Sequence, residues 1–440
     1  MRTPVHRPAR WPGPWPRVVA TLVAVAVVSV PIGVVAYRHS SGADTAQLAA
    51  LTVGQNSYHQ LTTDADWQAG VHEGTVSQAG SLTMGTPVGR LTYFQSSYDY
   101  SQWTSAWVNP SISFTQLIPS WAANTPYGTW IQVFVRAHRA DGTLTSFKDL
   151  GHWSTRDAEF KRTSSYSQDD RLAHVGVDTL IADPGVQLDW YQFRVRLLRL
   201  TSSPDPSQVV GTPSIASLGA VASLFPATPR SSTPLYHTDK ILPVPAYSQM
   251  IHRGQYPEFG GGGEAWCSPT SLAMVLSYFG KRPSRTNYTW VNRSYADPWV
   301  DHVARLVYDY GYHGTGNWPF NTAYAAVYLP TAFVTRLGNL RDAERFIHAG
   351  IPLEASIAFG RGQLTGAPIS STPGHLVVIV GFTMAGNVVV NDPAASSDAT
   401  VRRTYNRAQF EHALLAGSRG MVYVISDAAH RLPAHVGRNW

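Results

Sequence analysis

A single cysteine, Cys267, occurs in 440 residues. An intramolecular disulfide is therefore excluded, and every folded part of the chain has to be stable from core packing alone. Charge is scarce as well: Asp, Glu, Lys and Arg make up 14% of the chain, against 44% hydrophobic residues. That balance excludes a chain disordered throughout and leaves apolar surface for sizeable cores. No lysine or arginine block is present that would track a phosphate backbone. The formal charge of +6 owes much to Arg2, Arg7, Arg10, Arg17 and Arg38, which precede the first acidic residue. Nucleic acid is not an expected partner. His-Glu-x-x-His and Cys-x-x-Cys are missing, Gly260 to Gly263 is not followed by Lys-Ser/Thr, and no Gly-x-Ser-x-Gly elbow occurs. Metal and cofactor sites, a phosphate-binding loop and a serine-hydrolase elbow are thus not expected.

Long apolar runs are limited to one, "VVATLVAVAVVSVPIGVVA" at residues 18–36, which is uncharged and follows four arginines. It predicts a signal peptide or an N-terminal membrane anchor over residues 1–38, with the rest secreted or held at the outer face of the cytoplasmic membrane. Contact with a membrane is expected through 18–36 alone. Residues 39–82, rich in Ser, Thr, Gly and Ala, read as a stalk.

Residues 83–225 carry strand patterns. Ile131, Val133 and Val135 alternate before a turn at Asp141-Gly142, and Tyr191, Phe193, Val195 and Leu197 alternate against Gln192, Arg194 and Arg196. An all-β sandwich is expected there. Trp121, Trp130, Trp153 and Trp190 are expected in its core; exposed, they would be candidate contacts to a cell-wall polymer. A Pro/Ser/Thr-rich stretch, 226–240, reads as a linker. From 241 to 430 helical and strand patterns alternate, which predicts an α+β domain.

The lone thiol lies in "GGGGEAWCSPTSLAMVLSYFG", residues 260–280. Pro269 suits a helix's first turn, Leu272, Val275, Leu276 and Phe279 recur at helical spacing, and Gly280 stops the run. Cys267 therefore falls at a helix N-terminus, where unpaired N–H groups favour a thiolate. A nucleophilic thiol also needs a base. Downstream, "HLVVIVGF" and "NVVVND" form a hairpin about Ala385-Gly386-Asn387, with His375 opening its first strand and Asp392 closing its second. The topology brings an imidazole and a carboxylate together, as a base and its orienting acid require. Strand alternation lets only one of Asn391 and Asp392 point at His375.

"YSQ" at 247–249, "WCSPTSLAMVL" at 266–276, "GHLVVIVGF" at 374–382 and "VNDP" at 390–393 together resemble the papain-like cysteine peptidases of the bacteriocin-processing type. The likeness is to the C39-like branch exported by actinobacteria with an N-terminal β-sandwich module. It implies a papain-like domain over 241–430, a helical part followed by an antiparallel sheet. Cys267 would be the nucleophile, His375 the general base and Asp392 its orienting acid. A glutamine supplies an oxyanion donor in that family; Gln249 matches best, with Gln255 the alternative. The expected substrate is a peptide or protein outside the cytoplasm. The chain departs from the pattern at Ser268, where many members have glycine, and in the glycine run, a flap or simply a loop. Two other readings stand beside hydrolysis: a silent papain-like domain that binds peptide or wall material, and acyl transfer by the same three residues.

Overall fold

The computed structural model describes residues 55–440 except 167, 226–230 and 435–436. The apolar run at 18–36 lies outside them, as does the start of the expected stalk. Among the described residues no helix is long and apolar enough to cross a membrane.

Among the described residues thirteen strands precede residue 225: β1 (Gln55–Leu61), β2 (Val71–Glu73), β3 (Thr75–Gln78), β4 (Ser81–Met84), β5 (Gly89–Tyr93), β6 (Ser96–Thr104), β7 (Gln116–Asn124), β8 (Thr129–His138), β9 (Lys148–Trp153), β10 (Ala173–Gly176), β11 (Thr179–Ala182), β12 (Trp190–Leu200) and β13 (Ser214–Leu224). They make two sheets. One runs β10-β11-β7-β13-β4-β3 with β1 also on β13; the other runs β2-β6-β12-β8-β9 with β5 on β6. All their ladders are antiparallel. The alternation read from the sequence is the inward face: Ile131, Val133 and Val135 of β8 and Tyr191, Phe193, Val195 and Leu197 of β12 are fully buried. Trp121, Trp130 and Trp153 are core residues, and Trp190 is partly buried against His138.

The stalk reading fails from residue 55 onward. Residues 55–84 contribute four strands and a short helix, α1 (Asp64–Gln68), capped by Thr63 and Asp66. Ser and Thr marked these residues as unstructured, yet threonine packs well on a half-exposed pleat. Leu61, Trp67, Leu82 and Met84 supply the buried side chains.

The rest of the chain is mixed. Its strands are β14 (Lys240–Ile241), β15 (Thr331–Arg336), β16 (Leu353–Phe359), β17 (Thr372–Phe382), β18 (Val388–Asn391), β19 (Arg402–Tyr405) and β20 (Met421–Ser426). They form an antiparallel sheet ordered β15-β20-β16-β17-β18-β19 with β14 on β17. Its helices are α2 (Cys267–Tyr278), α3 (Pro298–Val307), α4 (Trp318–Ala325), α5 (Leu340–His348) and α6 (Arg407–His412). In α2 every residue from Ser268 to Leu276 is buried, so it is a core helix rather than an amphipathic surface one.

The described residues fall within one compact unit whose apolar core is continuous across both halves. Trp121 and Trp153 pack edge-on or tilted against Phe320 of α4. Gly151, at φ +153, lets the backbone approach that ring: a Cβ there would sit 2.9 Å from Phe320. Polar contacts reinforce the junction. Arg305 grips Asp157 through two hydrogen bonds of 2.7 and 3.0 Å. The fully buried Arg162 donates to the carbonyls of Arg305 and Tyr308. The Ser120 hydroxyl oxygen accepts the Val334 N–H at 2.8 Å. The described part of the stretch read as a linker is docked as well: Ser232 donates to Glu411 through N–H and O–H, and the Leu235 N–H to Glu344.

Candidate active site

Cys267 is the first residue of α2 and is partly buried. The glycine run positions it. Gly260, Gly261 and Gly262 all have positive φ, and Gly263 lies so close to Gln249 and His252 that a Cβ would meet their backbone at 2.4 Å. The run is a packed loop leading into the Gly263–Ala265 turn. Trp266 anchors it, fully buried, with its indole N–H on the Phe259 carbonyl at 2.7 Å.

The strand carrying His375 packs on the start of α2, where the Ser271 hydroxyl donates to the Leu376 carbonyl at 3.2 Å. In the β17–β18 ladder Val378 faces Asn391, so Asp392, the next residue, comes diagonal to His375 on the same face. His375 Nε2 lies 2.7 Å from Asp392 Oδ1, and both residues are buried. The imidazole is also the thiol's hydrogen-bond partner; with Nε2 taken by Asp392, Nδ1 is the nitrogen left for sulfur. Asn391 points the other way. Its amide donates to Pro245 O at 2.9 Å, and its oxygen accepts from Arg402 Nε at 2.6 Å.

Electrostatics follow from this chain of contacts. Burial pulls the His375 imidazolium down, but the Asp392 charge and hydrogen bond outweigh it, and with Cys267 adding they raise His375 to about 10. Burial pushes the Cys267 thiol up. The His375 hydrogen bond and charge, then the Leu376 and Ser268 N–H groups, bring it below its ordinary value. Asp392 stays below the usual carboxylate range against its own burial, through His375, the Tyr405 hydroxyl and the Ala394 N–H. The arrangement suits a thiolate–imidazolium pair with a fixed counter-charge.

Of the two glutamines, Gln249 is buried and held next to this group. Its N–H donates to Pro393 O at 2.9 Å, and its side-chain Nε2 to Glu264 O at 2.8 Å. Gln255 turns to its own turn instead, with Nε2 on Ile251 O and Oε1 facing His252 Nδ1.

Three residues beside the site carried no motif. The Tyr405 O–H donates to Asp392 Oδ2 at 2.8 Å. Glu354, fully buried on β16, accepts from the Ser268 hydroxyl at 3.0 Å, while Tyr423 lies 3.2 Å from the same hydroxyl. Burial pushes the Glu354 carboxyl well above its usual range, the Ser268 hydrogen bond opposing and the Cys267 thiolate adding to the rise. The departure at Ser268 thus has a partner. The signal that would have found Glu354 is an acid inside the apolar run "IPLEASIAF", since a charge in a buried strand needs a reason. Tyr405 gave no such signal. Among the described residues no group of His, Cys, Asp and Glu is arranged to hold a metal ion.

Residues 57–223 match the family model described as Peptidase C39 N-terminal domain, and residues 241–418 match the Peptidase_C39 like family. Two solved structures align with about a third of the chain. One is a LamA variant from Z. galactanivorans in complex with laminaritriose and laminaritetraose, at 10% identity over 38% of this chain and 92% of that chain, with a TM-score of 0.17. The other is LamAcat from Zobellia galactanivorans, at 11% identity over 37% and 90%, also with a TM-score of 0.17. Scores that low bear on neither fold nor chemistry. No curated protein matches the chain.

Proposed function

We propose that this chain is an exported thiol peptidase acting through Cys267, His375 and Asp392, because residues 241–418 match the Peptidase_C39 like family and residues 57–223 match the Peptidase C39 N-terminal domain. The observation that carries the reading is the unbroken contact chain from the sulfur through His375 to Asp392, with the sulfur at a helix N-terminus. The Cys267 thiolate attacks the scissile carbonyl. The tetrahedral oxyanion is met by the Cys267 N–H and by Gln249 Nε2, which has a second hydrogen to donate. His375 passes its proton to the leaving amine, leaving an acyl-enzyme, and then activates water to hydrolyse it. Asp392 holds the imidazole in register and balances its charge throughout.

The compartment is outside the cytoplasm, by way of residues 1–38. A wall polymer is the second partner of the N-terminal half. That reading rests on an aromatic cleft of about 340 Å³ lined by Tyr93, Phe94, Tyr98, Phe160 and Tyr310, because three of the tryptophans first considered for it are core residues. Phe94 at its edge is 81% exposed.

The test is labelling with a thiol-directed peptide electrophile, wild type beside Cys267→Ala. Stoichiometric labelling that requires both Cys267 and His375 supports the peptidase. A protein that binds the peptide but never reacts is the silent binder. Product analysis with an added amine separates hydrolysis from acyl transfer.

A further inference from the structure

A cavity of about 300 Å³ opens where the two halves meet. The turn between β10 and β11 supplies one wall, with Val177, Asp178 and Thr179; the peptidase half supplies Tyr312, Trp318 and Arg336. The loop carrying Tyr312 reaches the approach to Cys267: the Thr315 hydroxyl donates to the Ala265 carbonyl at 3.3 Å, two residues before the nucleophile. It is pinned from both sides: Asp309 Oδ1 accepts the N–H groups of Ser164, Gly311 and Tyr312.

The hairpin is built for this place. Gly176 faces Thr179, which leaves a two-residue turn of Val177 and Asp178. Val177 has φ +57, a region that disfavours β-branched residues and that such turns normally fill with Asn or Gly. Asp178 is buried and fixed: Oδ2 accepts the Trp318 N–H at 2.7 Å and Oδ1 the Thr179 hydroxyl at 2.9 Å. A carboxylate accepts about four hydrogen bonds, so acceptor capacity remains on a group already held rigid. Burial, then nearby Asp309, push this carboxyl up to about 7 against those two donors, and Arg336 on the cavity wall feels its charge.

We propose that the β10–β11 hairpin and Tyr312 form a substrate subsite beside Cys267, in which Asp178 selects a peptide residue whose side chain donates a hydrogen bond. The inference rests on the peptidase reading and deepens it: the N-terminal half completes the substrate cleft.

The experiment uses the ectodomain from residue 49 and peptidyl electrophiles carrying lysine, glutamine or norleucine at each position in turn. It is run at pH 8, where Asp178 is ionised. At one position lysine and glutamine label Cys267 faster than norleucine, by about tenfold for a hydrogen bond to a charged group. Asp178→Asn, which still accepts the Trp318 N–H on its one oxygen but carries no charge, lowers the lysine preference by at least about threefold. A lysine preference undiminished in D178N overturns the subsite. Wild-type protein that reacts with iodoacetamide but no faster with any peptide overturns the peptidase reading itself. Should D178N unfold, Val177→Gly decides, because it relaxes the turn and removes a wall. Bulkier side chains then gain at the same position by at least about threefold, and an unchanged profile overturns the inference.

Discussion

Tyr405→Phe isolates one hydroxyl on which the charge arrangement of the site depends. Tyr405 and Asp392 are both 1% exposed. Asp392 Oδ1 has two donors, His375 Nε2 at 2.7 Å and the Ala394 N–H at 3.1 Å. Among the described residues Oδ2 has the Tyr405 hydroxyl alone, at 2.8 Å. The substitution leaves a buried carboxylate oxygen without a donor, at a cost of about 2 kcal/mol. The pH dependence has a definite sign. Asp392 is held below its ordinary value despite burial, by His375, Tyr405 and the Ala394 N–H. A depressed carboxyl contributes stability that is present above the unfolded value of about 3.9 and is lost as pH falls through the folded one. Y405F raises the folded value, so its acid-unfolding midpoint moves to higher pH, and its deficit shrinks once both proteins hold Asp392 protonated. Urea unfolding at pH 7 and an acid titration followed by circular dichroism measure the two effects. A variant within about 0.5 kcal/mol of wild type, with an unmoved acid midpoint, refutes the reasoning.

Asp392→Ala is expected to lower turnover by roughly 10²-fold or more. Asn391→Ala should instead reduce the melting temperature, through Pro245 and Arg402, while leaving thiol reactivity near wild type; equal losses of turnover would shift the orienting role. Glu354 has a folded pKa well above its ordinary 4.5, so between the two values the folded state holds the extra proton. Wild-type stability then falls by about 1.4 kcal/mol per pH unit on that account, and Glu354→Gln gains on wild type in denaturant melts as pH rises above 4.5; a constant difference contradicts this. A fragment starting at Ile241 exposes Phe320 and strips Arg305 of Asp157. It should show no cooperative melt, whereas residues 49–440 should; a fragment melting as the longer protein does would mean that the junction adds little.

The strand alternation of β8 and β12 and the helix after Cys267 were legible because each buries one face or one whole element in a regular period. The hairpin that joins His375 to Asp392 was legible in outline from its turn at Gly386, but the pairing shifts by one residue between Ile379 and Gly381, and that bulge, silent in the sequence, puts Asp392 rather than Asn391 on the face of His375. What composition concealed was packing between distant segments. Residues 55–84 look like a stalk because their strands are short and polar, and become structured only by pairing with β13, β6 and each other. The docking of 232–235 depends on Glu344 and Glu411, more than a hundred residues away. Asp178 could not be read at all. Its meaning comes from Trp318, 140 residues on, and from a turn whose strain is invisible until the backbone is seen.

The central claim is that Cys267 is a thiolate made by His375, and the rate of Cys267 alkylation by iodoacetamide against pH tests it most directly, with the modified residue mapped by mass spectrometry. The account predicts an inflection well below the free-thiol value of about 8.5, moving up toward that value in His375→Gln. An inflection at or above it in the wild type, or a native protein that resists alkylation at every pH, would contradict the claim and leave Cys267 a structural residue.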